Sequence, residues 1–219
     1  MNHLPLVTPD RQHHFDTICQ GLHQRGWAVV PDFLVQEQWQ PLLLRARAID
    51  HYQLAGVGRG DNLQHNDSVR ISLIHWLNDN HAIDRSWLCV MEELRLCLNR
   101  SLFLGLFEFE AHYACYPPGA FYKRHLDAFK GTNNRIVSTV FYLNPDWGDD
   151  DGGNLAIYPE QTHQAMGGVI EVQPKAGTLV VFLSEDIPHE VLKTIKTRYS
   201  IAGWFRINPS IFGNLDPPG

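Results

Sequence analysis

The spacing of apolar positions changes character near the middle of the chain. Through residue 106 they recur mainly every three to four places, and from residue 107 onward they alternate in short runs. Phe15, Ile18 and Leu22 share one helical face, and Gly26 stands where that helix would stop. Trp27-Ala28-Val29-Val30, ahead of Pro31-Asp32-Phe33-Leu34, reads as a short buried strand. Gln36 to Asp50 returns to helical spacing with Trp39, Leu42, Leu43 and Ala46. The stretch from Gln53 to Asp67 contains Gly56, Gly58 and Gly60 and has no apolar period. It predicts a mobile loop, of a length that often serves as a lid. Trp87, Val90, Met91, Leu94 and Leu98 make Ile83 to Arg100 the strongest helix in the chain.

Beyond it the expected strands are Phe107–Tyr116, Ile136–Leu143, Asn154–Tyr158, Val169–Val172, Gly177–Leu183, Glu190–Leu192 and Tyr199–Ile207. Clusters of turn residues separate them: Pro117-Pro118-Gly119, Asn144-Pro145-Asp146, Asp151-Gly152-Gly153, Gly167-Gly168 and Pro174-Lys175-Ala176-Gly177. The economical architecture is α+β, a jelly roll covered by helices from the N-terminal half. Residues 1–219 then form a single domain. Its mainly helical support is 1–106, with the early strand and the mobile loop 53–67, and its β core is 107–207. The tail from Asn214 to Gly219 is expected to be loose.

Composition narrows the function classes. A hydrophobic fraction of 44% and a charged fraction of 19% fit a soluble globular protein, and apolar runs such as Gly177–Leu183 are too short to span a bilayer. No secretory signal is visible after Met1, so the cytoplasm is the expected compartment. A net charge of -6 without a Lys/Arg cluster argues against nucleic acid as a partner. Cys19, Cys89, Cys97 and Cys115 include no CxxC pair and are expected to be reduced, buried thiols. Most of the 12 histidines read as surface or boundary residues.

The candidate chemistry begins at His125-Leu126-Asp127. In extended backbone, positions i and i+2 project from one face of a strand, so both side chains can reach one point. His189, far downstream, supplies a third ligand of suitable type. Two His and one carboxylate leave coordination positions open, the arrangement associated with non-haem iron(II) oxygenases. His-x-Asp alone is a weak motif. Arg198 sharpens it. Lying nine residues after His189, Arg198 opens a strand on which Arg198, Ser200, Ala202 and Trp204 share one face. His189 and Arg198 are expected on neighbouring antiparallel strands. An inward Arg needs an anion, and its fork suits a carboxylate. A 2-oxo-dicarboxylate that chelates iron at one end and meets Arg198 at the other fits both demands.

Six segments carry a resemblance to a known family. They are Tyr113-Ala114-Cys115-Tyr116-Pro117-Pro118-Gly119, Tyr122-Lys123-Arg124-His125-Leu126-Asp127, Phe141-Tyr142-Leu143-Asn144-Pro145-Asp146-Trp147, Gly152-Gly153-Asn154-Leu155, Pro188-His189-Glu190-Val191 and Thr197-Arg198-Tyr199-Ser200-Ile201. In this order they resemble the prolyl 4-hydroxylase group of 2-oxoglutarate oxygenases, especially the bacterial and hypoxia-sensing type. The resemblance covers about residues 107 to 207. It implies a double-stranded β-helix, Fe(II), 2-oxoglutarate and O2 as cosubstrates and, in many members, ascorbate as reductant. It also implies metal ligands at His125, Asp127 and His189, and a catalytic role for these and Arg198. Tyr116 and Tyr142 would lie beside the 2-oxoglutarate, Tyr142 donating its hydroxyl to the distal carboxylate held by Arg198. Leu155 would wall that pocket, and Tyr122, Arg135 and Trp204 would line the substrate side. Two departures border that side: the short loop Pro117–Phe121 and the apparent insertion Gln161–Gly168.

The reaction so implied is hydroxylation of a prolyl residue in a protein or peptide, with release of succinate and CO2 and with loop 53–67 clamping the substrate. Hydroxylation of a free amino acid or other small molecule is the rival within the superfamily. Outside it stand a non-catalytic jelly roll that binds a metal or small ligand and a zinc hydrolase using the same three ligands. Neither of these needs an inward cation at Arg198.

Overall fold

In the computed structural model, which describes residues 9–55, 69–128, 134–159 and 168–208, the first helical stripe forms α1 (Pro9–Arg25). It buries Phe15, Ile18 and Leu22. Gly26 follows at φ 80° and returns its N–H to the Leu22 carbonyl at 3.0 Å, a left-handed stop that a side chain would resist. Strand β1 (Trp27–Val30) comes next, then α2 (Gln36–Arg47). That helix ends at Arg47 and not at Asp50, because the Ala48 N–H closes on Leu44 and Arg45.

The expected loop begins later than its composition suggested. Gln53–Leu54 is a short strand, β2, paired with β3 (Leu73–Trp76). Residues 56–68, the rest of that loop, lie outside the described residues, as do most of the apparent insertion and the C-terminal tail. The sequence reading passed over β3 because its four residues show no alternation of burial. Helix α3 (Ala82–Leu102) carries the full stripe Trp87, Val90, Met91, Leu94 and Leu98 into the core. No described helix is long and apolar enough to cross a membrane.

The strands expected after Phe107 are all present: β4 (Leu106–Tyr116), β6 (Arg135–Tyr142), β7 (Leu155–Ile157), β8 (Ile170–Val172), β9 (Leu179–Leu183), β10 (His189–Val191) and β11 (Arg198–Ile207), with β5 (Tyr122–His125) in addition. They form two antiparallel sheets. The major sheet has the order β1-β9-β6-β11-β4-β3-β2 and the minor sheet β5-β10-β7-β8. This is the jelly roll, with α1 and α3 against the outer face of the major sheet.

Alternation divides the major sheet's residues between two cores. Phe141, Val181, Ile201 and Phe205 face the helices and pack with Phe15, Val90 and Leu94. Tyr142, Val180, Phe182, Ala114 and Tyr116 face the minor sheet and pack with Leu155, Ile157 and Val191. Leu94 is fully buried, so Leu94→Ala would cost about 2–5 kcal/mol of fold stability. The inter-sheet side holds the polar groups discussed next.

Candidate active site

His125 closes β5 and stands opposite His189, the first residue of β10. Directly opposed residues of an antiparallel pair put their side chains on the same face. The pairing slips beyond them: Val191 faces Tyr122, so three steps along β5 match two along β10. This bulge turns Tyr122 onto the face of His125, where the rings stack at 3.6 Å and 19°. Strict alternation would have sent them to opposite faces.

Asp127 does not share a strand with His125, as the extended reading of His125-Leu126-Asp127 expected. It lies at a bend past the end of β5. The bend still brings its carboxylate back to the pair, with Oδ1 3.5 Å from His125 Nε2 and Oδ2 3.7 Å from His189 Nε2. The ligating atoms of the three residues all lie within 4.8 Å of one another, a spacing that can close around one metal ion with bonds of about 2 Å.

Hydrogen bonds orient each member. Nδ1 of His125 donates to the Lys123 carbonyl at 2.8 Å and Nδ1 of His189 to that of Ile187 at 3.1 Å. A carbonyl only accepts, so the proton sits on Nδ1 and the Nε2 lone pair faces Asp127. Burial lowers the His189 pKa to about 4, with Asp127 opposing, so the ring is neutral at pH 7 as a ligand must be. Burial pushes the Asp127 carboxyl up, but His189, His125 and the Ser138 hydroxyl outweigh it and hold it well below the usual range. Ser138 Oγ donates to Asp127 Oδ2 at 2.7 Å and lies 2.8 Å from Ser184 Oγ.

Arg198 is 1% exposed, with Tyr116 directly opposite on β4. Its guanidinium carbon lies 5.1 Å from the Tyr116 ring centre and 5.0 Å from that of Tyr142. Nε donates to the Gly153 carbonyl at 2.9 Å and Nη1 to Ser200 Oγ at 3.2 Å. Nη2 of Arg198 and the Tyr142 hydroxyl are buried with no hydrogen bond of good geometry among the described residues, although Arg198 lies near enough to oppose the rise that burial gives the Tyr142 pKa. Leaving such donors unpaired costs roughly 1–3 kcal/mol each. These two donors, one on the guanidinium itself and one on the tyrosine, suit a carboxylate, and Leu155 is buried in the same cluster as Tyr116 and Tyr142. Gly153, at φ 67°, makes room: a Cβ there would come within 3.1 Å of Arg198 Cδ. The donor set thus fits the distal end of a 2-oxo-dicarboxylate, and the His/Asp cluster fits a divalent metal.

One expectation fails. His189 and Arg198 are not on neighbouring strands, because β10 belongs to the minor sheet and β11 to the major sheet. The connection crosses between sheets, with Thr194 bridging Gly152 on the way. The two residues lie on opposing sheets.

Arg135 opens β6, its guanidinium carbon over Trp204 at 3.7 Å from the ring centre, with Nε and Nη2 donating to Glu110 Oε1 at 2.8 and 2.6 Å. The Trp204 Nε1 is buried without a partner among the described residues. Beside it sits His112, an exception to the expectation that most histidines are surface or boundary residues. It is 2% exposed, between Trp204 at 5.5 Å and Trp76 at 5.2 Å. Burial, with Arg70 and Arg135 nearby, lowers its pKa to about 3. Strand parity could have found it, since His112 shares a face of β4 with Ala114 and Tyr116, as Ser138 shares one of β6 with Tyr142. Cys89 also departs from expectation: it is exposed, while Cys19, Cys97 and Cys115 are buried and free.

Comparison with known proteins meets this geometry at the level of the family. The 2OG-Fe(II) oxygenase superfamily model matches residues 111–206, which run from β4 through β11. A crystal structure of a Pseudomonas putida prolyl-4-hydroxylase superposes with a TM-score of 0.80 at 37% identity, over 89% of this chain and 100% of that one. The chain belongs to the 2OG-Fe(II) oxygenase superfamily, whose members use Fe(II), 2-oxoglutarate and O2. Within it, the chain is of the prolyl 4-hydroxylase-like type. It is 30% identical to prolyl hydroxylase EGLN3 of Mus musculus over 206 residues, 86% of this chain and 81% of that protein. A prolyl hydroxylase of Trichoplax adhaerens, in complex with a hypoxia inducible factor peptide fragment, shares the fold at a TM-score of 0.77 and 23% identity, over 90% of each chain. Other relatives are longer: the chain spans 45% of the length of human Egl nine homolog 1.

Proposed function

We propose that this chain hydroxylates a prolyl residue in a protein or peptide, with His125, Asp127 and His189 holding Fe(II) and Arg198 with Tyr142 holding the distal carboxylate of 2-oxoglutarate. The observation that carries the reading is the pair of buried donors without an acceptor among the described residues, Arg198 Nη2 and Tyr142 Oη, in the interior between the two sheets that also holds the His/Asp cluster. Names of similar proteins, prolyl hydroxylases, supply the substrate class.

Bound iron and 2-oxoglutarate, with O2, supply the oxidising equivalents that convert C–H to C–OH while 2-oxoglutarate becomes succinate and CO2. The chain's residues do the rest. Lys123 and Ile187 carbonyls keep both Nε2 lone pairs aimed inward, and Ser138 turns the Asp127 carboxylate toward them. Tyr116 and Leu155 wall the Arg198 cradle and exclude water from it. Tyr122, Arg135 and Trp204 face the substrate, with Tyr122 set against His125 by the bulge. We read residues 1–219 as one catalytic unit, and the buried thiols Cys19, Cys97 and Cys115 suit a reducing cytoplasm.

The test is stoichiometry. Proline-containing peptides should give hydroxyproline and succinate in equal amounts, dependent on both Fe(II) and 2-oxoglutarate. Turnover of free amino acids with none of peptides would replace the peptide reading with the small-molecule one.

A further inference from the structure

Two arginines flank the site, and their charges are met differently. Arg135 is held by Glu110, whose Oε2 also takes Arg206 Nη1 at 3.1 Å, and Arg206 reaches Glu108 Oε1 at 2.9 Å. Two carboxylates thus meet two guanidiniums, and that flank is electrically neutral.

The other flank is cationic. Residues 69–71 run along the edge of β5: Arg70 bridges Tyr122, the Lys123 N–H donates to the Val69 carbonyl at 2.9 Å, and the Ile71 N–H to that of Phe121 at 3.0 Å. This backbone sets the half-buried Arg70 guanidinium over the Tyr122 ring, 4.6 Å from its centre, and that ring stacks on His125. Its Nε donates to the neutral Ser72 Oγ at 2.7 Å, its charge and proximity oppose the rise that burial gives the Tyr122 pKa, and it forms no salt bridge among the described residues. His112, the other titratable group near both arginines, is buried and neutral at pH 7. The metal cluster carries a single negative charge, from Asp127, which a divalent ion would more than cancel. A half-buried cation stacked beside the reaction centre and meeting no carboxylate among the described residues is a receptor for an anion.

We propose that Arg70 is a specificity-determining residue, taking the carboxylate of an aspartate or glutamate that flanks the target proline in the peptide substrate. The inference rests on the prolyl reading above. Arg135, already neutralised by Glu110, is left to meet neutral peptide groups, so the preference for acid is one-sided along the peptide.

The probe is a series of end-blocked peptides centred on one proline, with a single Glu, Gln or Lys walked through the flanking positions. KM is read from hydroxyproline formation. Glu at one position on one side should lower KM about tenfold relative to Gln there, and rising salt should shrink that ratio. In Arg70→Gln the ratio should fall to about one with the 2-oxoglutarate requirement unchanged, Arg70→Lys should keep part of it, and Arg70→Glu should favour the Lys peptide. Equal KM for Glu and Gln peptides at every position in the wild type, or a ratio that survives in Arg70→Gln, overturns the assignment of Arg70 alone. Absence of hydroxylation in any peptide, with 2-oxoglutarate still bound, overturns the prolyl reading and this inference with it.

Discussion

The two sheets each contribute half of the site, but they hold their residues in different ways. In the major sheet, β4 and β11 span 11 and 10 residues and pair along nearly their whole length, with one slip near the far end of β11. Arg198, at the opposite end of that ladder, is placed by many backbone hydrogen bonds. The minor sheet is built of strands of three or four residues, and the pairing of β5 with β10 slips beside the metal cluster. Its functional side chains are therefore fixed by their own hydrogen bonds, His125 and His189 to backbone carbonyls and Asp127 to a serine of the major sheet. A long ladder sets position through the backbone; a short, bulged one leaves side-chain bonds to do so.

This contrast can be broken most severely at the cluster. His125→Ala, Asp127→Ala and His189→Ala should each abolish turnover while the fold survives, as judged by circular dichroism and metal titration. Unchanged activity in any one of them, with iron near the wild-type half-saturation level, would remove that residue from the metal site. Next in size, Arg198→Ala should raise the 2-oxoglutarate requirement by roughly one to two orders of magnitude and leave iron affinity nearly unchanged. Lys there should rescue only part, since a point charge cannot reproduce the fork. Loss of iron binding instead would mean that the two halves of the site are not separable.

The cross-sheet tie is tested by Ser138→Ala. Removing the hydroxyl that turns Asp127 should weaken metal binding about tenfold, the lower end for partners of metal ligands, without moving the 2-oxoglutarate titration. An equal effect on both titrations would point to a general loosening of β6. The smallest effect is on stability. In the folded metal-free protein His112 and His189 have pKa values of about 3 and about 4, below the ordinary 6.5. The unfolded chain therefore takes up protons first as pH falls. Stability should be full above about pH 6.5 and decline from there toward the folded values, and His112→Gln should flatten part of that decline in melting temperature. A wild-type melting temperature that does not fall over this range would show that neither ring is held neutral.

Along the major sheet the alternation of Tyr199 to Phe205 was legible without coordinates, and it correctly put Arg198, Ser200 and Trp204 on one face, because a long strand obeys its period. The helix stripe from Trp87 to Leu98 was legible for the same reason, and the cluster residues were legible as candidates, His-x-Asp and a distant His being a weak motif that Arg198 and the family resemblance sharpened. The sequence by itself thus determined the helices and the longer strands, though not the short β2, β3 and β5, together with the parity of the long strands and the candidate ligands. The tertiary structure decided how they meet. The stacking of Tyr122 on His125 depends on a bulge, which inserts a residue that no period records. The separation of His189 from Arg198 onto opposing sheets depends on a crossing connection, which a short interval between two strands cannot distinguish from a hairpin. The contributions of Ser138, Gly153, His112 and Glu110 arise from contacts between residues far apart in the chain, and local pattern carries no information about partners that only folding brings together.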